Sequence, residues 1–184
     1  MRELCNHGLR RCELLGLRWE DISGSSLFVR QTRVKLSSGI VVDTPKSAKA
    51  VRRMWLSPDV LLVLAEHKQR QDAERERLAE YWPDTGLVFV SELGTPLSPD
   101  NLRRLRNRLM DLAGVPRVSL HQLRHLHATV AIFGGMDAKV LADRLGHTRA
   151  SFTLDKYTHL FEAQRELSAV SLTDFLGRGE SKPN

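Results

Sequence analysis

The stretch HQLRHLHATV, residues 121–130, contains three histidines and one arginine. At about 100° per residue on a helix, His121, Arg124 and His125 lie on one face and His127 lies on another. The two histidines of the first face have the i, i+4 spacing of a zinc site, but a cationic arginine beside them would repel the ion. A guanidinium next to an imidazole is better suited to bind an anion such as phosphate. We predict that His127 packs in the core or at its boundary.

Other residues able to do chemistry lie far from this stretch. Tyr157 follows His147 by ten residues. A free phenol has a pKa of about 10, so a nucleophilic tyrosine needs nearby cations or a base. Arg10 stands at the expected start of a helix, and Lys46 lies in a predicted turn between two strands. Taken alone, a tyrosine on a helix is usually a packing or surface residue, and a solvated hairpin lysine is the simplest interpretation of Lys46.

A second possible metal cluster is formed by Cys5, His7 and Cys12 near the N-terminus. Three ligands without a matching distal pair are a weak zinc signal, so a structural role is favoured. Two cysteines without an export signal are typical of free thiols in a reducing cytoplasm.

The chain is basic, with 28 lysines and arginines against 22 acidic residues, a formal charge of +6 and a pI near 9.7. This balance favours a polyanionic partner, and nucleic acid first. Four of the arginines lie in LRRLRNRLM, residues 102–110, where a solvated helix face is the competing interpretation. The sequence has no apolar run of the roughly 18–20 residues that span a bilayer, and no signal-peptide core. We therefore expect a cytoplasmic protein with no membrane partner.

Turn and capping residues predict the elements that position these side chains. Ser26 to Leu56 is predicted to form a small antiparallel meander of three strands, and RRCELLGL before it has helical spacing. The later predicted helices run from Ser57-Pro58 to about Tyr81, from Ser98-Pro99 to Gly114, from Ser119 to Gly134, from Asp137 to Gly146 and from Arg149 through Tyr157. The expected fold class is α+β, mainly helical, with one three-stranded antiparallel sheet near the N-terminus.

Taken together and in chain order, the candidate residues resemble the motifs of the tyrosine recombinase (phage integrase) catalytic domain. The matching positions are Gly8-Leu9-Arg10, Lys46, His121 with Arg124, Leu145-Gly146-His147, and Tyr157. The resemblance extends from about Gly8 to Phe161 and includes the flanking text LRHLHAT and SFTLDKYTHL. It implies site-specific cleavage and rejoining of double-stranded DNA, as in phage integration and mobile-element movement.

The resemblance also implies a role for each residue. Arg10 and Arg124 would clamp the scissile phosphate and stabilise its transition state. Tyr157 would attack phosphorus, giving a 3′-phosphotyrosyl link and a free 5′-hydroxyl. Lys46 would protonate the leaving oxygen.

Two histidines complete the implied set. His121 would help to move the tyrosine proton, and His147 would hydrogen-bond the phosphate. His125 is expected to be a neighbour that orients them. No metal or other cofactor is implied, because the arginines supply the positive charge. Glu13, three residues after Arg10, is expected either to brace an arginine or to be a plain surface carboxylate.

Family members usually carry an N-terminal domain that closes around DNA, and no such domain precedes Gly8 here. We therefore expect residues 1–176 to be an N-terminally truncated catalytic domain and residues 177–184 to be a disordered tail. The amphipathic segment FEAQRELSAVSLTDFL resembles the family element that docks on a neighbouring protomer, which implies a homo-oligomer, a tetramer on DNA. Packing of this segment on its own core is the competing interpretation. The alternative function is a non-catalytic DNA-binding remnant.

Overall fold

The computed structural model describes residues 8–36, 39–43, 51–147 and 149–167. Its helices are α1 (Arg11–Gly16), α2 (Pro58–Leu78), α3 (Pro99–Leu112), α4 (Leu120–Phe133), α5 (Ala138–Leu145) and α6 (Ala150–Leu167), with 3₁₀ turns at Trp19–Asp21 and Ala79–Tyr81. Its strands are β1 (Ile22–Ser23), β2 (Ser26–Val29), β3 (Thr32–Leu36), β4 (Gly39–Asp43) and β5 (Arg52–Trp55). The predicted α+β class is confirmed. Among these residues, no helix has the length and apolar character to cross a membrane.

The three-stranded sheet has the order β1-β2-β5, and both pairs are antiparallel. Leu27 of β2 is fully buried and pairs with Met54 of β5, so this sheet covers the core. β3 and β4 form a separate hairpin, in which Val34 and Val42 are exposed. The prediction that the strands between Ser26 and Leu56 form one meander is therefore wrong, because they belong to two sheets. Residues 26–34, expected to be one strand, divide between two sheets because only the first half enters the core.

The predicted helix starts are confirmed, and local hydrogen bonds explain most of them. Ser98 Oγ accepts a hydrogen bond from the backbone N–H of Asn101 at the start of α3. Ser119 and Gln122 form a reciprocal capping box at the start of α4. Asp137 accepts two backbone N–H groups at the start of α5. These caps fix the direction in which α4 and α5 leave their turns.

Two buried clusters form the interior, and α4 contacts both. The first cluster is built from α1, β2, β5, α2 and the segment 88–102, and Leu120 and Leu123 of α4 pack against it. The second is built from α4, α5 and α6, and includes Ala128 and Ile132 of α4. The helix face with His121, Arg124 and His125 therefore lies where the two clusters meet.

Helix α6 joins the helix predicted through Tyr157 to the start of the amphipathic segment predicted from Phe161, and it reaches Leu167. Tyr157 itself has non-helical backbone angles, with φ −120° and ψ 19°, so the helix is kinked at this residue. The aromatic ring of Tyr157 packs in the second cluster beside Phe161. The kink thus falls on the residue that the sequence marks as a nucleophile.

Candidate active site

Arg10 immediately precedes α1, and its guanidinium is held by two separate partners. One side-chain nitrogen donates to Glu13 Oε1 at 3.1 Å, and the other donates to the carbonyl oxygen of Gly146 at 2.8 Å. The backbone N–H of Arg10 also donates to Glu13 Oε2 at 2.7 Å. Because the side chain is still 43% exposed, its head group is fixed in place and open to a ligand.

Arg124 lies deeper, in α4, and is only 6% exposed. Its guanidinium donates to the carbonyl oxygens of Gly8 and Leu145, and one nitrogen lies 3.2 Å from Nε2 of His147. Burial, followed by the positive charge of Arg10, lowers the pKa of Arg124 to about 10. The group stays cationic at neutral pH, where an anion in front of it would be strongly stabilised.

Glu13 is the carboxylate between two arginines. It is 3% exposed and accepts a bidentate pair from Arg52 of β5, at 2.7 and 2.6 Å, besides its bonds to Arg10. Burial alone would raise the pKa of Glu13, but the hydrogen bond and charge of Arg52 and the contacts of Arg10 outweigh it and lower the pKa. The bracing role expected for Glu13 is confirmed, and the surface interpretation is wrong.

His147 follows the left-handed turn at Gly146 that ends α5. Its Nδ1 lies 2.7 Å from Oγ1 of the fully buried Thr153, and its Nε2 faces Arg124. Burial and then the charges of Arg124 and Arg10 lower the pKa of His147 to about 4. Because a guanidinium can only donate, the neutral ring accepts at Nε2 and carries its hydrogen on Nδ1.

Tyr157 is 5% exposed, and its hydroxyl lies 2.8 Å from Nδ1 of His125. Nε2 of His125 lies 2.9 Å from Nε2 of His121, which is exposed. Burial raises the pKa of Tyr157, and the charge of Arg124 opposes this only in part. The phenol is therefore protonated at neutral pH and needs an acceptor before it can act as a nucleophile.

His127 stands apart from this group, as predicted. It is half-buried, and its Nε2 lies 3.2 Å from Nε of Arg144. It also lies beneath Gly8, where an added Cβ would approach the imidazole to 3.0 Å. Its place is a packing position at the core boundary.

An open cleft of about 350 Å³ is lined by Arg10, His121 and Arg124 of this site. Its basic lining consists of Arg10, Arg11, Arg103, Arg106, His121 and Arg124. Arg103 and Arg106 of α3 thus face the cleft, whereas Arg104 donates to Asn101 on the helix surface. A groove with this lining attracts the backbone of a polyanion.

The structure brings five of the six predicted site residues into one region: Arg10, His121, Arg124, His147 and Tyr157. The sixth, Lys46, lies outside the described residues. So do Cys5 and His7 of the alternative metal cluster. Across the described ranges, no group of three or more His, Cys, Asp or Glu side chains is placed to hold a metal ion.

Sequence reasoning missed Arg52 and Thr153, which hold Glu13 and His147. Arg52 shares the inward side of β5 with the buried Met54, so a charged residue on the apolar face of a strand was the available signal. For Thr153 the sequence offered no signal, because its contact depends on the turn at Gly146.

The fold is that of a tyrosine recombinase catalytic domain. The chain belongs to the phage integrase family, whose model matches residues 1–164.

Individual relatives support the same assignment. The chain is 29% identical to the tyrosine recombinase XerC-like protein of Caldanaerobacter subterraneus subsp. tengcongensis, over 91% of this chain and 46% of that protein. It is 29% identical to the ICEBs1 integrase of Bacillus subtilis, over 92% and 46%. In fold it is similar to the Tn1549 transposon integrase in complex with transposon right end DNA, with a TM-score of 0.70 and 21% identity over 91% of this chain and 57% of that one. The chain thus spans about half the length of the curated relatives it matches.

Proposed function

We propose that this chain breaks and rejoins double-stranded DNA at specific sites, in the cytoplasm, through a 3′-phosphotyrosyl intermediate. The observation that carries the proposal is the convergence of Arg10, Arg124, His147 and Tyr157 beside a basic cleft. Arg124 is cationic, and Tyr157 is protonated and hydrogen-bonded to an imidazole that can accept its proton.

In this proposal the two arginines clamp the non-bridging oxygens of the scissile phosphate. Arg124 is buried with an excess of positive charge around it, and the phosphate supplies the compensating negative charge. Bound phosphate also raises the pKa of His147, since an anion favours the charged ring, so that Nε2 becomes a hydrogen-bond donor to it. Lys46 is proposed to protonate the leaving 5′-oxygen.

The test is capture of the covalent intermediate. The chain is incubated with a library of nicked duplexes that carry a randomised segment, and protein-linked DNA is recovered after denaturation and sequenced. We expect a defined sequence to be enriched, and mass spectrometry to place the DNA on Tyr157. The Tyr157→Phe variant should bind the enriched duplex without forming the link. Binding by the unaltered chain with no link on any duplex would contradict the proposal and support the non-catalytic alternative.

We also propose that the chain self-associates on DNA, up to a tetramer, through its C-terminal amphipathic segment. Support comes from Leu126, Val130 and Phe133, which are spaced along one side of α4 and are each at least half exposed. This apolar stripe fits the apolar side of that segment in a second copy. Val130→Glu is expected to reduce the mass of the protein–DNA complex in light scattering, and an unchanged mass would contradict the contact. Val140→Glu on α5, where the valine is also more than half exposed, is the control.

A further inference from the structure

A row of three hydrogen-bonded side chains leads from the interior to the surface. It begins at the buried hydroxyl of Tyr157, passes through both ring nitrogens of His125 and ends at Nε2 of His121. The two contacts are 2.8 and 2.9 Å long. Each end has a different environment, because Tyr157 is 5% exposed whereas His121 is exposed at the cleft.

The row is held by the fold on both sides of His125. His121 and His125 are one helical turn apart on α4, and their rings meet edge to face with centroids 4.4 Å apart. Tyr157 approaches from α6, with its ring at 63° to that of His125. Among the described side chains, His125 is therefore the imidazole in direct contact with the phenol, and His121 reaches the phenol only through it.

The charges around His125 set the direction of proton flow. It faces His121 and Arg124 from its own helix, and Tyr157 and Lys156 from α6. Burial lowers the pKa of His125, and the positive charges of Lys156, His121 and Arg124 lower it further. A neutral imidazole then faces a protonated phenol, so the phenol donates to Nδ1 and Nε2–H donates to His121.

We propose that His125 is the catalytic base that takes the Tyr157 proton and relays it through His121 to solvent. This inference rests on the proposed DNA strand cleavage. As the phenolic oxygen of Tyr157 forms its bond to phosphorus, its O–H bond breaks and the proton moves to Nδ1 of His125. The proton on Nε2 passes to His121, and the P–O bond to the 5′-oxygen breaks with protonation of that oxygen by a separate acid. Rejoining runs the same transfers backwards.

The first test is His125→Asn, because an asparagine oxygen placed near Nδ1 still accepts the phenolic hydrogen bond but does not take up the proton. We expect the single-turnover rate of adduct formation on the enriched nicked duplex to fall by about 100-fold or more. The rate of the unaltered chain should decrease as the pH falls, because His125 becomes protonated. The rate of the variant should not show this decrease. His159→Asn, the same change at an exposed position on α6, should leave the rate unchanged.

A DNA substrate with sulfur in place of the bridging 5′-oxygen distinguishes the role of the base from that of the acid. A thiolate leaves without a proton, so the sulfur substrate should rescue a Lys46→Ala variant but not His125→Asn. His121→Asn should be slowed less than His125→Asn and should recover when imidazole buffer is added, because that end of the row is open to solvent.

The outcomes separate the relay from the cleavage reaction itself. If the unaltered chain forms no adduct, the proposed function fails and the relay fails with it. If the unaltered chain forms the adduct, and His125→Asn has the same rate and the same decrease in rate at low pH, only the relay is overturned. The relay is also overturned if His121→Asn is the slower variant and imidazole does not restore it, because His121 would then be the first acceptor.

Discussion

At the scale of single residues, the geometry of the site depends on Glu13. Its two oxygens are shared by Arg10, which faces the cleft, and Arg52, which comes from β5. The spacing of three residues allowed the sequence to suggest the bond to Arg10, because it lies within one helical turn. The bond to Arg52 spans 39 residues and depends on how β5 packs against α1, so no local pattern predicted it.

Replacing Glu13 with glutamine removes the negative charge and keeps the side-chain shape. We expect Glu13→Gln to lower the free energy of unfolding by about 2–4 kcal/mol, because Arg52, whose side chain is only 14% exposed, loses its counter-charge. Urea denaturation monitored by circular dichroism measures this change. Glu20→Gln, which breaks the exposed pair with Arg18, should cost less than about 0.5 kcal/mol. Equal losses in the two variants would contradict the bracing role.

At the scale of elements, what the sequence could predict follows the range of the interactions. The caps at Ser119 and Asp137 are made within three residues, and both helices begin where the sequence placed them. The division of residues 26–34 between two sheets depends on distant partners and on burial. The kink at Tyr157 likewise depends on the packing of α6 against α4 and α5, so the sequence did not predict that the two helical segments on either side of it are continuous.

The turn after α5 provides the prediction at this scale. Gly146 has φ +65°, and a Cβ there would lie 2.6 Å from a guanidinium nitrogen of Arg52 and 3.1 Å from its Cζ. Gly114 after α3 has the same φ with open space around it. Gly114→Ala should therefore lower the free energy of unfolding by about 1–2 kcal/mol from backbone strain alone.

Gly146→Ala should cost about 1–2 kcal/mol more than Gly114→Ala, because Arg52 has to leave its bidentate position on Glu13. It should also slow adduct formation, since Arg10 and His147 share this turn. Thermal denaturation and the single-turnover assay measure the two effects. Identical stability of both variants would show that the approach of Arg52 to Gly146 does not constrain the turn.

At the scale of the whole molecule, two apolar clusters meet along α4 and a basic cleft opens at their junction. Composition predicted a polyanionic partner, but a net charge does not say which arginines face it. The fold separates them: Arg103 and Arg106 line the cleft, whereas Arg117 pairs with Asp111 on the surface. The position of α3 across the cleft from α4 makes this distinction, and it has no counterpart in the linear spacing of the arginines.

Salt dependence of DNA binding tests this arrangement. Arg103→Ala and Arg106→Ala should each weaken binding to a duplex of arbitrary sequence and reduce the slope of log K against log salt by about 1. Arg117→Ala should leave the slope unchanged. Fluorescence anisotropy across a series of salt concentrations gives the slopes, and a loss at Arg117 equal to that at Arg103 would show that charge alone, without position, determines binding.

The acceptors of the two site arginines at the end of α5 are the main-chain oxygens of Leu145 and Gly146. A carbonyl oxygen is present whatever side chain the residue carries, so these hydrogen bonds do not depend on the identity of the side chains at the two positions. They do not tolerate a change in chain length, because one residue inserted in the 138–146 segment would rotate the carbonyls away from both guanidinium groups. Among homologues, we therefore expect the length of this segment to be constant, whereas its residues other than Gly146 can vary. A library of single-residue insertions should show its steepest loss of function here.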